Sequence, residues 1–170
     1  MKKLLITLTI LVASLTSSIA QRFAYVDTDY ILGKIKEYED AQKKLDGMAI
    51  VWQEEVDAKF DEVKKMYNKY LAEEFLLTDD MKRQRENEII QKEKEANDLQ
   101  RQRFGFEGDL FKKRQELVQP IQEKVYNAIE KIATNLGYDF IFDKASGGAT
   151  LLYTNSKYDL SEQVLKSIQP

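Results

Sequence analysis

The sequence predicts an α+β protein: a long antiparallel helical hairpin projecting from a small β body. Three observations carry this. From Leu45 to Tyr70 the apolar positions Leu45, Ala49, Trp52, Val56, Phe60, Val63, Tyr67 and Tyr70 recur every ~3.6 residues, the period of a helix with one buried stripe. The pattern lapses at Leu76–Asp80 and resumes through Met81, Ile89, Ala96 and Leu99 toward Leu117 and Ile121, which folds a second helix back on the first. Short aromatic, alternating segments flank both ends of this helical region, the mark of strands. At 1.5 Å per residue a helix of some forty residues is roughly 60 Å long, more than a core of this size requires.

Residues 1–20 are expected to be a signal peptide. Lys2 and Lys3 form a positive start, Leu4 to Leu15 an apolar stretch, and Ser18-Ile19-Ala20 a small-residue cleavage site. The stretch is too short to span a bilayer, which takes ~20 apolar residues, so no stable membrane insertion is expected. A β body then comprises 21–35 and 119–170, and the hairpin arm 36–118.

In the first part of that body Phe23-Ala24-Tyr25-Val26 reads as a strand. Asp27-Thr28 caps a short helix that Gly33 weakens or ends. The first long helix starts at Ile35. Thr78 or Asp79 caps the second, with acids in its first turn and bases just after. Between Asp79 and Arg103 seven basic and seven acidic residues interleave, and stripe positions such as Lys92 and Arg103 are polar, so the far end of the hairpin has a thin apolar seam. Phe104-Gly105-Phe106-Glu107-Gly108 interrupts the helix as either a local kink or a hinge. Pro120 bends the following helix or restarts it. Asn135–Gly137 ends that helix. Tyr138–Asp143 is expected to be a strand, Lys144–Gly148 a turn and Ala149–Tyr153 a return strand. Asp159-Leu160-Ser161-Glu162 resembles a capping box opening a last helix, Leu160 to Ile168. Gly105, Gly108 and Pro120 are the hinge candidates.

Several function classes are excluded by composition. The chain has no Cys and no His, so it lacks the commonest nucleophile, general base and metal ligands; no catalytic, cofactor-binding or metal-binding residue is assigned. Loss of Lys2 and Lys3 leaves 24 basic against 29 acidic residues, a balance that argues against nucleic acid as a partner. What remains is mechanism by shape and surface. Three short strands would leave open sheet edges, which invite pairing with another chain, and Phe23, Tyr25, Phe140, Phe142, Leu152 and Tyr153 are the candidate oligomerisation residues.

The order of these features resembles the Skp-type (OmpH-like) periplasmic chaperones over the whole mature chain. Its most specific parts are Pro120-Ile121 with the following Ile/Val-rich helix, Gly137-Tyr138-Asp139 leading to Ile141 and Asp143, and Asp159-Leu160-Ser161 leading to Val164-Leu165. The glycine-containing segment Phe104–Gly108 and the Leu-Leu-Thr turn resemble the variant found in Bacteroidetes-type bacteria. The resemblance implies a periplasmic homotrimer whose β body closes into a barrel on trimerisation and carries three arms. It implies that unfolded outer-membrane β-barrel proteins are held in the cavity between the arms, without ATP or any other cofactor. No phosphate-cradling glycine loop is present. Familiar members are strongly basic and this chain is not, so capture is expected to rest on apolar contacts rather than on charge. The candidate client contacts are Trp52, Phe60, Met66 and Tyr67, with Tyr70, Phe75, Leu77 and Met81 nearer the tip; packing within the hairpin is the competing role for each. The alternative function is a coiled-coil spacer of the cell envelope that binds no client; an amphipathic membrane-surface protein would want a broader apolar face and excess Lys and Arg.

Overall fold

The computed structural model describes residues 21–147 and 151–168. In chain order the elements are β1 (Phe23–Val26), α1 (Thr28–Gly33), α2 (Lys36–Glu73), α3 (Asp79–Phe104), α4 (Asp109–Leu136), β2 (Phe140–Asp143) and α5 (Ser161–Ile168). Short 3₁₀ turns occupy Glu74–Leu76 and Ser156–Tyr158. The fold is α+β, with a long helical hairpin and a small sheet. The described residues form two compact units, one from Gln21 to Ile31 and from Val125 onward, the other Leu32–Lys124.

In the second unit α2 and α3 are antiparallel. Tyr70 bonds Glu86 at 2.7 Å, Lys92 lies 4.0 Å from Glu62, and Arg103 lies 2.9 Å from Glu55, so the pairing runs in one register about a turn near Leu77. Of the two caps that the sequence offers, Thr78 serves α3, accepting the Met81 N–H at 3.4 Å. Leu45 and Val56 are almost wholly buried on α2. On α3 only Ala96 is buried, because this helix presents Lys92 and Glu95 where a well-packed hairpin would carry Leu or Ile. α3 ends at Phe104, and Glu107 stands at φ 55 in the turn before α4. Pro120 neither ends nor restarts a helix: α4 runs unbroken from Asp109 to Leu136. Proline removes one backbone donor and crowds the preceding turn, and the helix on either side carries that cost.

In the first unit the sheet is parallel, with Phe23 opposite Phe140 and Tyr25 opposite Phe142. A helix must precede β2 for this arrangement, and α4 supplies it. Gly137 at φ 65 ends α4. Its N–H bonds Thr134 O at 3.3 Å while Tyr138 N–H bonds Ala133 O at 2.9 Å, the doubled closure of a helix that stops on glycine. Tyr138 is thereby drawn into the helix end, and β2 starts two residues later than the alternation suggested. Arg22 secures the same corner: its guanidinium donates to Leu136 O and its N–H to Asp139 Oδ2 at 2.8 Å.

The expected return strand is absent where it is described, since Leu151–Tyr153 has no strand pairing; Gly148, Ala149 and Thr150 lie outside the described residues, as does the expected signal segment 1–20. The physical reason is a missing partner. On the side of β1 away from β2, Leu160 N–H already bonds Tyr25 O at 2.9 Å, next to an isolated bridge between Tyr25 and Asp159. The start of α5 also departs from a reciprocal capping box. Asp159 Oδ1 accepts from Ser161 N–H at 2.9 Å, but Glu162 turns away to accept from the Tyr30 hydroxyl. Ser161 is 3% exposed, and its Oγ accepts the Asp27 N–H at 2.9 Å. Asp27 caps α1 through the Tyr30 N–H at 2.9 Å, and Asp143 binds Thr28 through both N–H and hydroxyl. Strand ends and helix starts are thus tied together by short polar side chains.

Candidate functional site

Three surfaces stand out. The first is the turn end of the hairpin, where Phe75 is 79% and Leu76 70% exposed. Leu71, Tyr67 and Met81 are each about half exposed nearby in the chain. The tight 3₁₀ turn leaves Phe75 and Leu76 no facing helix to pack on, which explains their exposure. Of the candidate client contacts, Tyr67, Phe75 and Met81 are exposed, whereas Trp52, Phe60, Met66 and Leu77 are half-buried. Tyr70 is buried, and its hydroxyl is engaged by Glu86, which makes it part of the seam. Leu71 and Leu76 were not among the sequence candidates. The missed signal was a run of apolar residues just where the helical period lapses.

The second surface is the sheet face of the first unit. Phe23 stacks on Phe140 and Phe142 at centroid distances of 5.5 and 6.1 Å. All three rings remain between 39% and 50% exposed, because parallel pairing puts them on one face and none of the described elements covers it. A cleft of about 560 Å³ opens beside this face, lined by Phe23, Tyr25 and Phe142 with Leu151, Tyr153 and Tyr158. Leu152 and Tyr153 are 94% and 84% exposed. Tyr25 differs from the other oligomerisation candidates: it is 8% exposed within its own chain.

The third is the junction between α3 and α4. Arg103 donates to Asp109 Oδ2 at 2.7 Å and to Glu55 Oε2 at 2.9 Å, and its guanidinium carbon lies 4.9 Å from the centre of the Trp52 ring. Asp109 and Glu55 together hold the guanidinium charged, raising its pKa above the ordinary arginine value. Phe106 is 95% exposed and stacks on Phe111 at 6.5 Å. Neither ring was a sequence candidate. Gly105 closes on α3: a Cβ there would stand 2.4 Å from Arg101 O, and one at Gly108 2.8 Å from Gln102 O.

Among the described residues no group of three or more His, Cys, Asp or Glu is placed to hold a metal ion. No helix among them is long and apolar enough to cross a membrane. Acids and bases instead pair along helix faces, as Lys43 with Glu39 and Lys92 with Glu95 do, where each base lowers its acid's pKa. Such exposed pairs are worth little individually.

A long helical hairpin bearing uncovered apolar groups, joined in sequence to a small parallel sheet with an aromatic face, defines a class of protein that works through surface. The family model for outer membrane protein (OmpH-like) matches residues 22–168, and the chain belongs to that family. Its fold is shared with a crystal structure provisionally described as an outer membrane chaperone (OmpH-like) from Caulobacter crescentus. The two are 9% identical with a TM-score of 0.66, over 89% of this chain and 86% of that one. No curated protein matches the chain.

Proposed function

We propose that this protein is an ATP-independent holdase chaperone of the periplasm. It is secreted with cleavage near Ala20, assembles as a homotrimer, and shields unfolded outer-membrane β-barrel chains between its arms. The observation that carries the reading is the uncovered apolar turn of the hairpin, Phe75 at 79% and Leu76 at 70% exposure, on an arm that also leaves Ile50, Val51 and Ile90 exposed. Membership of the OmpH-like family supports it.

An unfolded barrel chain exposes alternating apolar residues and aggregates with its own kind. Separate weak apolar contacts from several arms become strong together through effective concentration. Polarizable Met81 and the aromatic rings of Tyr67 and Phe75 adapt to many partners. Balanced charge on α3 leaves no field to bind acidic clients, so apolar contact dominates. The trimer forms through the aromatic sheet face, where Phe23, Phe140 and Phe142 already stack and remain half exposed; neighbouring chains cover that face and close the barrel.

Size-exclusion chromatography with light scattering tests this on the mature protein, alone and with a denatured outer-membrane barrel. The expected result is a trimer alone and a trimer carrying one barrel chain, with Phe140→Asp shifting the mass to monomer while helix content stays. A protein that takes up no barrel chain would be a spacer of the envelope instead.

A further inference from the structure

The α3–α4 junction is closed by constraints of different kinds. Its backbone is tight: Gly108 N–H bonds Gly105 O at 2.9 Å and Lys112 N–H bonds Gly108 O at 3.0 Å. Glu107, which is not glycine, is held at φ 55, a left-handed conformation that L residues take only under constraint. One side chain, Arg103, then touches every helix that meets there. It starts from α3, pairs with Asp109 at the head of α4, pairs with Glu55 on α2 and covers the ring of Trp52.

We infer that Arg103 is the latch of an elbow, holding α3 and α4 at one angle and releasing them when its two carboxylates let go. Three features make the hold reversible rather than permanent. Arg103 Nε is buried with no hydrogen-bond partner, so the closed state leaves a donor unsatisfied and is less favourable than its contacts suggest. The side chains of Arg103, Asp109 and Glu55 are 22%, 29% and 43% exposed, so water and salt reach the carboxylates and weaken both pairs. Without the guanidinium, Glu55 and Asp109 face one another as like charges, which drives the junction apart rather than merely freeing it. The exposed pair Phe106 and Phe111 flanks the junction, so opening changes how these rings are presented. The inference concerns the free chain and depends on no client.

Trp52 is the chain's one tryptophan, so its fluorescence reads the latch directly. The experiment compares the mature wild type with Glu55→Gln/Asp109→Asn and with Arg103→Lys, in low salt and in about 1 M salt, where the screening length falls to about 3 Å. The double variant should make Trp52 about twofold more accessible to acrylamide and speed amide exchange over residues 101–112 roughly tenfold, with unchanged far-ultraviolet helix signal. Salt should move the wild type part of the way and the double variant not at all. Arg103→Lys, which keeps the charge but loses the planar fork, should behave like the double variant. Wild-type quenching and exchange in the double variant, or a wild type indifferent to salt, would overturn the latch. The salt titration needs no variant and decides the matter if either substitution prevents folding.

Discussion

The Tyr70 hydroxyl donates to Glu86 Oε1 at 2.7 Å across the two helices of the hairpin. This bond joins a buried ring on α2 to an acid on the sparsely packed α3. Its carboxylate partner above all, then desolvation, pushes the Tyr70 pKa up to about 12. A pKa raised above the unfolded value gives stability that is full below the unfolded pKa near 10 and is lost as pH rises toward 12. The hairpin should therefore loosen in alkali across that window. Tyr70→Phe should remove the latest-ionising phenol from an ultraviolet titration, lower the melting midpoint at neutral pH, and abolish this part of the alkaline loss.

The glycines divide by what surrounds them. A Cβ at Gly105 meets Arg101 O at 2.4 Å and one at Gly108 meets Gln102 O at 2.8 Å, whereas one at Gly47 meets nothing within 4 Å. Gly105→Ala and Gly108→Ala should each destabilise by about 1–3 kcal/mol, because backbone must move. Gly47→Ala, inside α2, should stabilise by about 0.5–1 kcal/mol. Thermal melts of the three variants check the signs. Ala stabilises over Gly by about 1 kcal/mol only where the backbone is helical. Gly105 is instead extended, with ψ 175.

Ser161 is the one buried polar residue among those described, and its hydroxyl joins Asp159 to the Asp27 N–H. Ser161→Ala leaves that N–H without its acceptor and should cost about 1–3 kcal/mol. Chemical denaturation read by circular dichroism measures it. A neutral result would mean that water replaces the hydroxyl.

Hydrogen exchange should be fast over residues 79–103 and slow over 121–143. Ala96 is the only buried residue of α3, while Ile121, Val125 and Ile132 are all buried on α4, and few buried contacts mean cheap local opening. Uniform protection would favour a rigid spacer.

Helical periodicity made the hairpin legible, including its Thr78 cap and its sparse second helix, because one buried stripe writes itself every 3.6 residues. The helix end at Gly137 was readable for the same local reasons. Strand pairing was not: Tyr138 alternates with Phe140 and Phe142, yet the closure of α4 claims its N–H. Leu151–Tyr153 looks like a strand, but β1 already bonds Leu160 on that side. Arg103 was noted only as a polar residue in the stripe, since its partners Glu55 and Asp109 come from two other helices. Of the apolar candidates, sequence could not separate Tyr70, drawn into the seam by Glu86, from Phe75, left outside by the turn.

Uncovered apolar groups at the hairpin turn are proposed to keep unfolded barrel chains apart. The most direct measurement is light scattering of a denatured outer-membrane barrel diluted into buffer without nucleotide, with the mature wild type or with Phe75→Ser/Leu76→Ser. Both side chains are largely exposed, so the variant should keep its fold and oligomeric mass. The wild type should suppress aggregation at stoichiometric amounts, and the variant should lose most of that protection. Equal suppression by both would place the client elsewhere, and none by either would contradict the holdase function itself.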